Sequence, residues 1–387
     1  MLKHPIRSLQ LNQFGFVGMK MKVKLKKLGT ISTGNTPSKN VSEFYDSEDI
    51  GLVKPDIISD SRIDNIDKVS EYLSEAARTK ARIVKKNTVF VTCIGSIGKV
   101  GIAKEDEFAF NQQINAIEPN EKILPKYLAY GIFANKKKLQ AIANAPVVPI
   151  INKTQFGEFE IDITDDVDEQ ARIIELLDKV CAIIRKRKAE LDKLDELIKA
   201  RFVELFRDGA EYKKEPLIDN VQEMFIGPFG SSLKNECFVD ETDSYCMVYE
   251  QKHAIQKTMN LPTRYVDETK YNELKRFTVI GGDIIVSCRG TIGEIYSVPD
   301  DAPRGIMHPS IMKIRLKKDK YCNLFFVLML ERYMQENIAK ANGSGIKMAV
   351  TATDLGKELF VVPSIEEQRN FENFVLQVDK SKVINHI

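Results

Sequence analysis

Cysteine and histidine are the chain's readiest nucleophiles and metal ligands, and their spacing builds neither a metal site nor a catalytic pair. The six cysteines (Cys93, Cys181, Cys237, Cys246, Cys288, Cys322) contain no CxxC. The four histidines (His4, His253, His308, His386) are scattered, so zinc spacing is absent. No GxxxxGK(S/T) is present to cradle a nucleotide, and no GxSxG or HExxH occurs. No Asn-Pro-Pro-aromatic element presents an amino group to a methyl donor, and Pro55-Asp56 lacks the Glu-x-Lys a nuclease would add. Cys93 and Cys288 stand in equivalent places, yet no histidine accompanies them, so they read as small buried residues at strand ends. The sequence therefore predicts no catalytic residue, no metal and no cofactor of its own.

Two glycine turns remain, Gly95-Ser-Ile-Gly98 and Gly290-Thr-Ile-Gly293. Glycine there serves a tight turn or a close backbone approach to a phosphate. Lys99 follows the first turn and Arg289 precedes the second, which suits the phosphate reading.

These turns belong to a repeat. VFVTCIGSIGKVGIA (89–103) matches IIVSCRGTIGEIYSV (284–298), with Cys93 on Cys288 at an offset of 195 (288 minus 93). Gln113-Ile-Asn-Ala-Ile117 matches Ser310-Ile-Met-Lys-Ile314 at 197, and Glu169-Gln170 matches Glu367-Gln368 at 198. The order and the small drift indicate a duplication: globular unit, helix, globular unit, helix.

The helix between the copies spans 169–206 without Gly or Pro. Alternating steps of four and three meet Ile173, Leu177, Val180, Ile184, Arg187, Leu191, Leu194, Ile198, Arg201 and Leu205, the seam of a coiled coil. At ~1.5 Å per residue it is a rod of roughly 57 Å. Asp166 with Glu169, and Ser364 with Glu367, have capping-box spacing at the two helix starts. The second helix is the shorter, with Phe371, Phe374, Val375 and Val378 on its apolar face. It is expected to run antiparallel along the first and to leave part of the seam uncovered.

The expected class is α/β of the mixed α+β kind. The expected segments are a tail at 1–21, a first domain at 22–165, a central helix at 166–207, a second domain at 212–363 and a distal helix at 364–387. Lys and Arg number 57 against 55 Asp and Glu, a net charge of +2 that does not mark a free-standing nucleic-acid binder. Basic runs at 22–27, 136–138, 185–188 and 317–320 suit solvated faces or phosphates. The most apolar run, 324–330, is too short to cross a bilayer, and the free thiols fit a reducing cytoplasm.

Several stretches together resemble the specificity subunits of type I restriction-modification systems. Thr30-Ile-Ser-Thr-Gly-Asn-Thr-Pro-Ser38 and Phe225-Ile-Gly-Pro-Phe-Gly-Ser-Ser-Leu-Lys234 resemble the openings of that family's two target recognition domains. Val248-Tyr-Glu-Gln-Lys-His-Ala-Ile255 and 282–293 resemble the middle of one, and Asn111-Gln-Gln-Ile114 its Asn-Gln element. The Glu-Gln pairs resemble the starts of its conserved helices. His308-Pro309 departs from the pattern, standing where the family often has Asn-Gln.

The resemblance implies a non-catalytic protein whose two recognition domains each read one half of a split DNA sequence. Its helices would form an antiparallel coiled coil that separates the domains and docks two methyltransferase subunits. Restriction-translocase subunits join that core. The uncovered part of the seam is where a methyltransferase subunit, or a second copy of the chain, is expected to dock. S-adenosylmethionine, ATP and Mg would belong to the partners. Expected DNA contacts are Thr36, Ser38, Lys39, Lys54 and Lys99 in the first domain. In the second they are Ser231, Ser232, Lys234, Gln251, Lys252, His253 and Arg289. The competing readings are a coiled-coil protein scaffold without DNA readout and a small-molecule enzyme using the GxxG turns on phosphate.

Overall fold

The computed structural model describes residues 21–143, 148–206, 212–344 and 351–384, so the expected tail lies outside them except for Met21. The chain parts into two compact units between Arg185 and Lys186. That boundary falls inside the long helix, not at its ends. The first half of the helix thus packs with one unit and its second half with the other.

The first unit contains β1 (Met21–Lys24), β2 (Gly29–Thr33), β3 (Ile50–Val53), β4 (Ile63–Ile66), β5 (Tyr72–Leu73) and β6 (Ile83–Val84). It continues with β7 (Val89–Thr92), β8 (Val100–Ala103), β9 (Phe108–Phe110), β10 (Ile114–Pro119) and β11 (Glu160–Ile163). One sheet has the order β2-β10-β7-β8-β4, another β5-β3-β9-β6, and β1 pairs with β11. Strands β7 and β8 are buried along their whole length, as their β-branched and apolar residues require. Helices α1 (Pro125–Ala134), α2 (Lys136–Ala141) and α3 (Lys153–Glu158) complete the unit. Asn135 separates α1 from α2, and its side-chain amide donates to Gly131 O at 2.9 Å.

Helix α4 (Val167–Phe206) follows. Asp166 Oδ1 accepts the amides of Asp168 (2.9 Å) and Glu169 (3.2 Å). The expected capping box is only half formed, because the Glu169 carboxylate takes the Thr164 hydroxyl at 2.6 Å. Arg187 and Arg201 pair along the helix itself, Arg201 with Glu204 at 2.7 Å and Arg187 with Glu190.

The second unit repeats the plan. Its strands are β12 (Lys214–Pro216), β13 (Val221–Ile226), β14 (Cys246–Tyr249), β15 (Tyr265–Val266) and β16 (Thr278–Val279). Then come β17 (Ile284–Ser287), β18 (Ile295–Ser297), β19 (Gly305–Met307), β20 (Ile311–Leu316) and β21 (Leu359–Val361). The sheet orders are β13-β20-β17-β18, β15-β14-β19-β16 and β12-β21. Each matches a first-unit sheet strand for strand, with β4 alone lacking a counterpart among the described residues. Register agrees as well: Val89 faces Ile117 in one unit, and Ile284 faces Ile314 in the other. Strands β3 and β9 run parallel, as do β14 and β19. The helices are α5 (Leu217–Asn220), α6 (Gln251–Gln256), α7 (Glu268–Glu273), α8 (Asn323–Ser344), α9 (Ala352–Lys357) and α10 (Ile365–Ile384).

At the start of α10 the capping box is complete. Ser364 Oγ accepts the Glu367 amide at 3.2 Å, and Glu367 accepts the Ser364 amide at 3.0 Å. The helix packs antiparallel on the last turns of α4. Phe371 meets Phe206 and Phe202 (ring centroids 5.7 and 5.6 Å), while Lys382, further along α10, reaches back to Asp195 at 2.7 Å. Val375 and Val378 share that core with Ile198, and Leu194, Leu205 and Phe374 pack around it. Phe202 and Phe206, which the heptad stepping missed, are its buried aromatic centre. A straight α-helix drifts off a strict seven-residue repeat and turns them inward. Leu191 is half-exposed outside this core, and so are Ile173, Leu177, Val180 and Ile184 in the first half of α4.

The glutamines of the two Glu-Gln pairs explain why each helix starts where it does. Gln170 is fully buried; its amide donates to Lys122 O and Thr164 O (both 2.9 Å), and its carbonyl accepts the Leu124 amide at 2.8 Å. Gln368 repeats this, donating to Lys320 O and Pro363 O (2.8 and 2.9 Å) and accepting the Cys322 amide at 2.9 Å. Each side chain ties the helix start to the loop before another helix and satisfies backbone groups that water cannot reach.

Candidate functional site

In each unit several strand ends converge on one turn. In the first, the turn is Asn111–Gln113: the Asn111 amide donates to Val53 O (3.1 Å) and the Cys93 amide to Gln113 O (2.7 Å). The Gly34 amide donates to Ile114 O at 3.1 Å, and a Cβ on Gly34 would lie 2.1 Å from Asn111 O, so only glycine fits. In the second, the His308 amide donates to Tyr249 O (2.8 Å) and the Cys288 amide to Ser310 O (2.9 Å). The Gly227 amide donates to Ile311 O at 3.0 Å, and a Cβ there would lie 2.3 Å from His308 O.

His308 also takes over the work of Asn111. Asn111 Oδ1 accepts the Gln113 amide at 3.0 Å, and His308 Nδ1 accepts the Ser310 amide at 3.2 Å. The departure at His308 thus preserves the turn. It needs a neutral ring with Nδ1 as acceptor, and burial, followed by the Arg264 charge, pushes the His308 pKa below 6.5.

The GxxG turns close the β7–β8 and β17–β18 hairpins. Gly95 and Gly98 have φ of 73° and 83°, and Gly290 and Gly293 of 67° and 86°. That left-handed conformation is the steric reason for glycine. Gly98 and Gly293 each donate 2.9 Å bonds, to Thr92 O and Ser287 O. Burial pushes the Cys93 thiol up to about 12 and the Cys288 thiol up to about 11, so neither forms a thiolate near neutrality. Among the described residues no group of His, Cys, Asp and Glu could hold a metal ion, and no helix is long and apolar enough to cross a membrane.

The expected contact residues lie around these turns, though not as one surface. Ser38 and Lys39 are exposed, and Thr36 donates to Gln112 Oε1 at 2.9 Å. Lys54 bonds Glu71, and Lys39 lies 3.9 Å from the same carboxylate. Lys99 Nζ donates to Pro55 O at 3.0 Å. In the second unit Lys252 pairs with Glu250 at 2.7 Å, and Arg289 is exposed on the GxxG turn. Gln251 reaches toward that turn, its Nε2 4.0 Å from where a Gly290 Cβ would sit. Ser231 and Lys234 are exposed and Ser232 is half-buried, Lys234 lying 3.9 Å from Glu236. No hydrogen bond ties these three side chains to the His308 turn among the described residues.

His253 does not fit the expectation of a DNA contact. Its ring is fully buried against Tyr249 (centroids 5.8 Å), and Nδ1 accepts the Glu250 amide at 3.0 Å. It supports the loop from behind.

Sequence reasoning missed Glu71 and Glu250, whose carboxylates hold the expected cations, Arg264, which also bonds Glu250, and Phe229, a phenylalanine 85% exposed in the loop after β13. The Glu71 carboxyl is held below its ordinary range chiefly by the Lys54 hydrogen bond. For Glu250, burial pushes upward, but the bonds from Arg264 and Lys252 outweigh it and the net shift is down.

Residues 18–193 and 221–386 match the model of the type I restriction modification DNA specificity domain. The chain belongs to this family. As a type I restriction-modification specificity subunit, it has relatives of the same kind. One is a Methanocaldococcus jannaschii protein provisionally assigned as the MjaX type I restriction enzyme specificity subunit, 24% identical over 345 residues, covering 85% of this chain and 80% of that protein. Another is the EcoR124I/EcoR124II specificity subunit of Escherichia coli, 28% identical over 197 residues, 48% of this chain and 47% of that protein. The alignment with this second relative thus spans about half of it. The fold is also that of a chain solved in work on complex assembly and conformational transition of the type I R-M system. The TM-score is 0.58 at 16% identity, over 95% of this specificity subunit and 92% of that chain.

Proposed function

We propose that the chain is the non-catalytic DNA-reading subunit of a type I restriction-modification complex, each unit reading one half of a bipartite target. The observation that carries the reading is the repeated turn: two copies of one buried framework, at Asn111 and at His308, present loops that differ in side chains. A fixed framework under variable polar loops is what two different half-sites call for. Lys39, Lys54, Lys99, Lys252 and Arg289 supply the positive charge for phosphates, with Thr36, Ser38, Ser231, Ser232, Lys234 and Gln251 on or near the same loops. The net charge of +2 leaves further phosphate neutralisation to partner subunits.

Methyltransferase subunits, two in the assembled complex, dock on the helices, and restriction subunits join them in the cytoplasm. The half-exposed Ile173, Leu177, Val180 and Ile184 on the first half of α4 are the apolar surface offered to a methyltransferase subunit. S-adenosylmethionine, ATP and Mg act on the partner subunits. Two measurements test the reading. The complex of this chain with its methyltransferase subunits binds duplex DNA with a steep salt dependence, which a protein-only scaffold would lack. Leu177→Glu with Ile184→Glu weakens co-purification of the methyltransferase subunit; unchanged co-purification would remove α4 as the dock.

A further inference from the structure

The two units carry the same ion pair with acid and base exchanged. Lys54 directly follows β3 and bonds the Glu71 carboxylate, whose other oxygen lies 3.9 Å from Lys39 Nζ. Glu250 directly follows β14 and is bonded by Arg264, with Lys252 Nζ at 2.7 Å. Backbone bonds show that the places correspond. Val53 O accepts the Asn111 amide as Tyr249 O accepts the His308 amide, which sets Lys54 on Glu250. The Leu52 amide donates to Glu71 O and the Val248 amide to Arg264 O, each at 2.9 Å, which sets Glu71 on Arg264.

Exposure sorts the members of each pair. The inner ones are the strand-end residues, Lys54 with a side chain 21% exposed and Glu250 with 12%. The outer ones are Glu71 at 39% and Arg264 at 34%. At one place on the shared scaffold, therefore, the first unit offers a carboxylate and the second a guanidinium. Both are held rigid. Two lysines flank Glu71, and Arg264 lies over the Phe238 ring at 4.1 Å while bonded to Glu250. Each cluster has two cations to one carboxylate, so neither repels a phosphate backbone.

The chemistry of the outer groups differs in kind. An ionised carboxylate only accepts hydrogen bonds and suits a base that presents an amino group, as cytosine does in the major groove. A guanidinium only donates and suits the paired acceptors of guanine. We infer that Glu71 and Arg264 are base-reading residues of the two half-sites, Glu71 accepting from an amino-bearing base and Arg264 donating to guanine, while Lys54 and Glu250 are positioning residues that aim them. This rests on the reading of the chain as a DNA-binding specificity subunit.

The test uses the complete chain assembled with its methyltransferase subunits, with methylated motifs mapped by sequencing. The exchange Lys54→Glu with Glu71→Lys copies the second unit's polarity onto the first and keeps the pair. It should change the preferred base at one position of one half-site, with about tenfold or greater loss at the original base, and leave the other half-site untouched. Glu250→Lys with Arg264→Glu should do the same in the other half-site only. The isosteric Glu71→Gln, which keeps an acceptor and adds a donor, should relax that position without unfolding the loop. Unaltered motifs for all three variants, or uniform weakening on every sequence, overturns the inference; the second result would leave Lys54 and Arg264 as phosphate contacts. Absence of DNA binding by the unsubstituted complex would instead remove the DNA-reading function itself.

Discussion

The two units of this chain share their backbone and the polar anchors at their helix starts and turns, but not their charges. Gln170 and Gln368 make the same three bonds, and Asn111 and His308 hold the same turn by different chemistry. At the loop positions, Lys54 stands against Glu250, Glu71 against Arg264, and Lys99 against Glu294, which lies 195 residues on (294 minus 99). The difference teaches where constraint ends. A buried side chain that satisfies several backbone groups at once, as Gln170 and Gln368 do, has few substitutes, so both copies keep it. An exposed charge has many, so the copies are free to diverge there.

The largest expected effect tests the shared part. Gln170→Leu and Gln368→Leu each strand three backbone groups and should destabilise the chain by about 3 kcal/mol or more, at roughly 1–3 kcal/mol per unsatisfied group. Urea unfolding of the full chain measures both. If one costs little, the two helix starts are not built alike.

Next comes the turn chemistry. Gly98→Ala and Gly293→Ala place a Cβ at φ of 83° and 86°, and each should cost about 1 kcal/mol. The Gly98 variant should cost the more, because its Cβ would also lie 2.8 Å from the Lys136 side chain. Equal losses would mean that Lys136 gives way.

Acid should separate the units. With its folded pKa below 6.5, His308 contributes fully above 6.5, and that stability is lost as pH falls from 6.5 toward the folded value. Buried His253 acts in the same direction. Asn111 does not titrate. Hydrogen exchange at the amides of 308, 310 and 311 should therefore lose protection as pH falls below 6.5, while 111–114 keeps it. His308→Asn should remove part of the difference, and a response in both units would break the comparison.

The smallest effect concerns Phe229. Phe229→Ala in the assembled complex should weaken DNA binding about fivefold with no change in salt slope, since an aromatic side chain neutralises no phosphate. An altered slope would put a neighbouring cation, not the ring, at the contact.

Much of this fold was legible in the sequence, for physical reasons. The duplication showed because glycines at positive φ and small residues at strand ends cannot drift, so Gly95, Gly98, Gly290 and Gly293 kept the register visible. The long helix showed through its apolar spacing. The role of His308 was hidden because ring nitrogen and amide oxygen look unlike as letters yet accept the same bond. Phe202 and Phe206 were hidden because helix packing follows 3.6 residues per turn. The Glu71 and Arg264 pairing required alignment of two loops whose lengths differ, which only the backbone hydrogen bonds supply. His253 looked like a contact because a loop histidine beside Lys252 resembles a reading residue until its burial is seen.

In the proposed role this chain chooses the DNA sequence on which its complex acts. Sequencing methylated positions in the host genome with the gene intact and with it deleted tests that most directly. One bipartite motif, two short specified halves around an unspecified spacer, should be methylated in the intact strain and lost in the deletion. Identical methylation in both strains would contradict it.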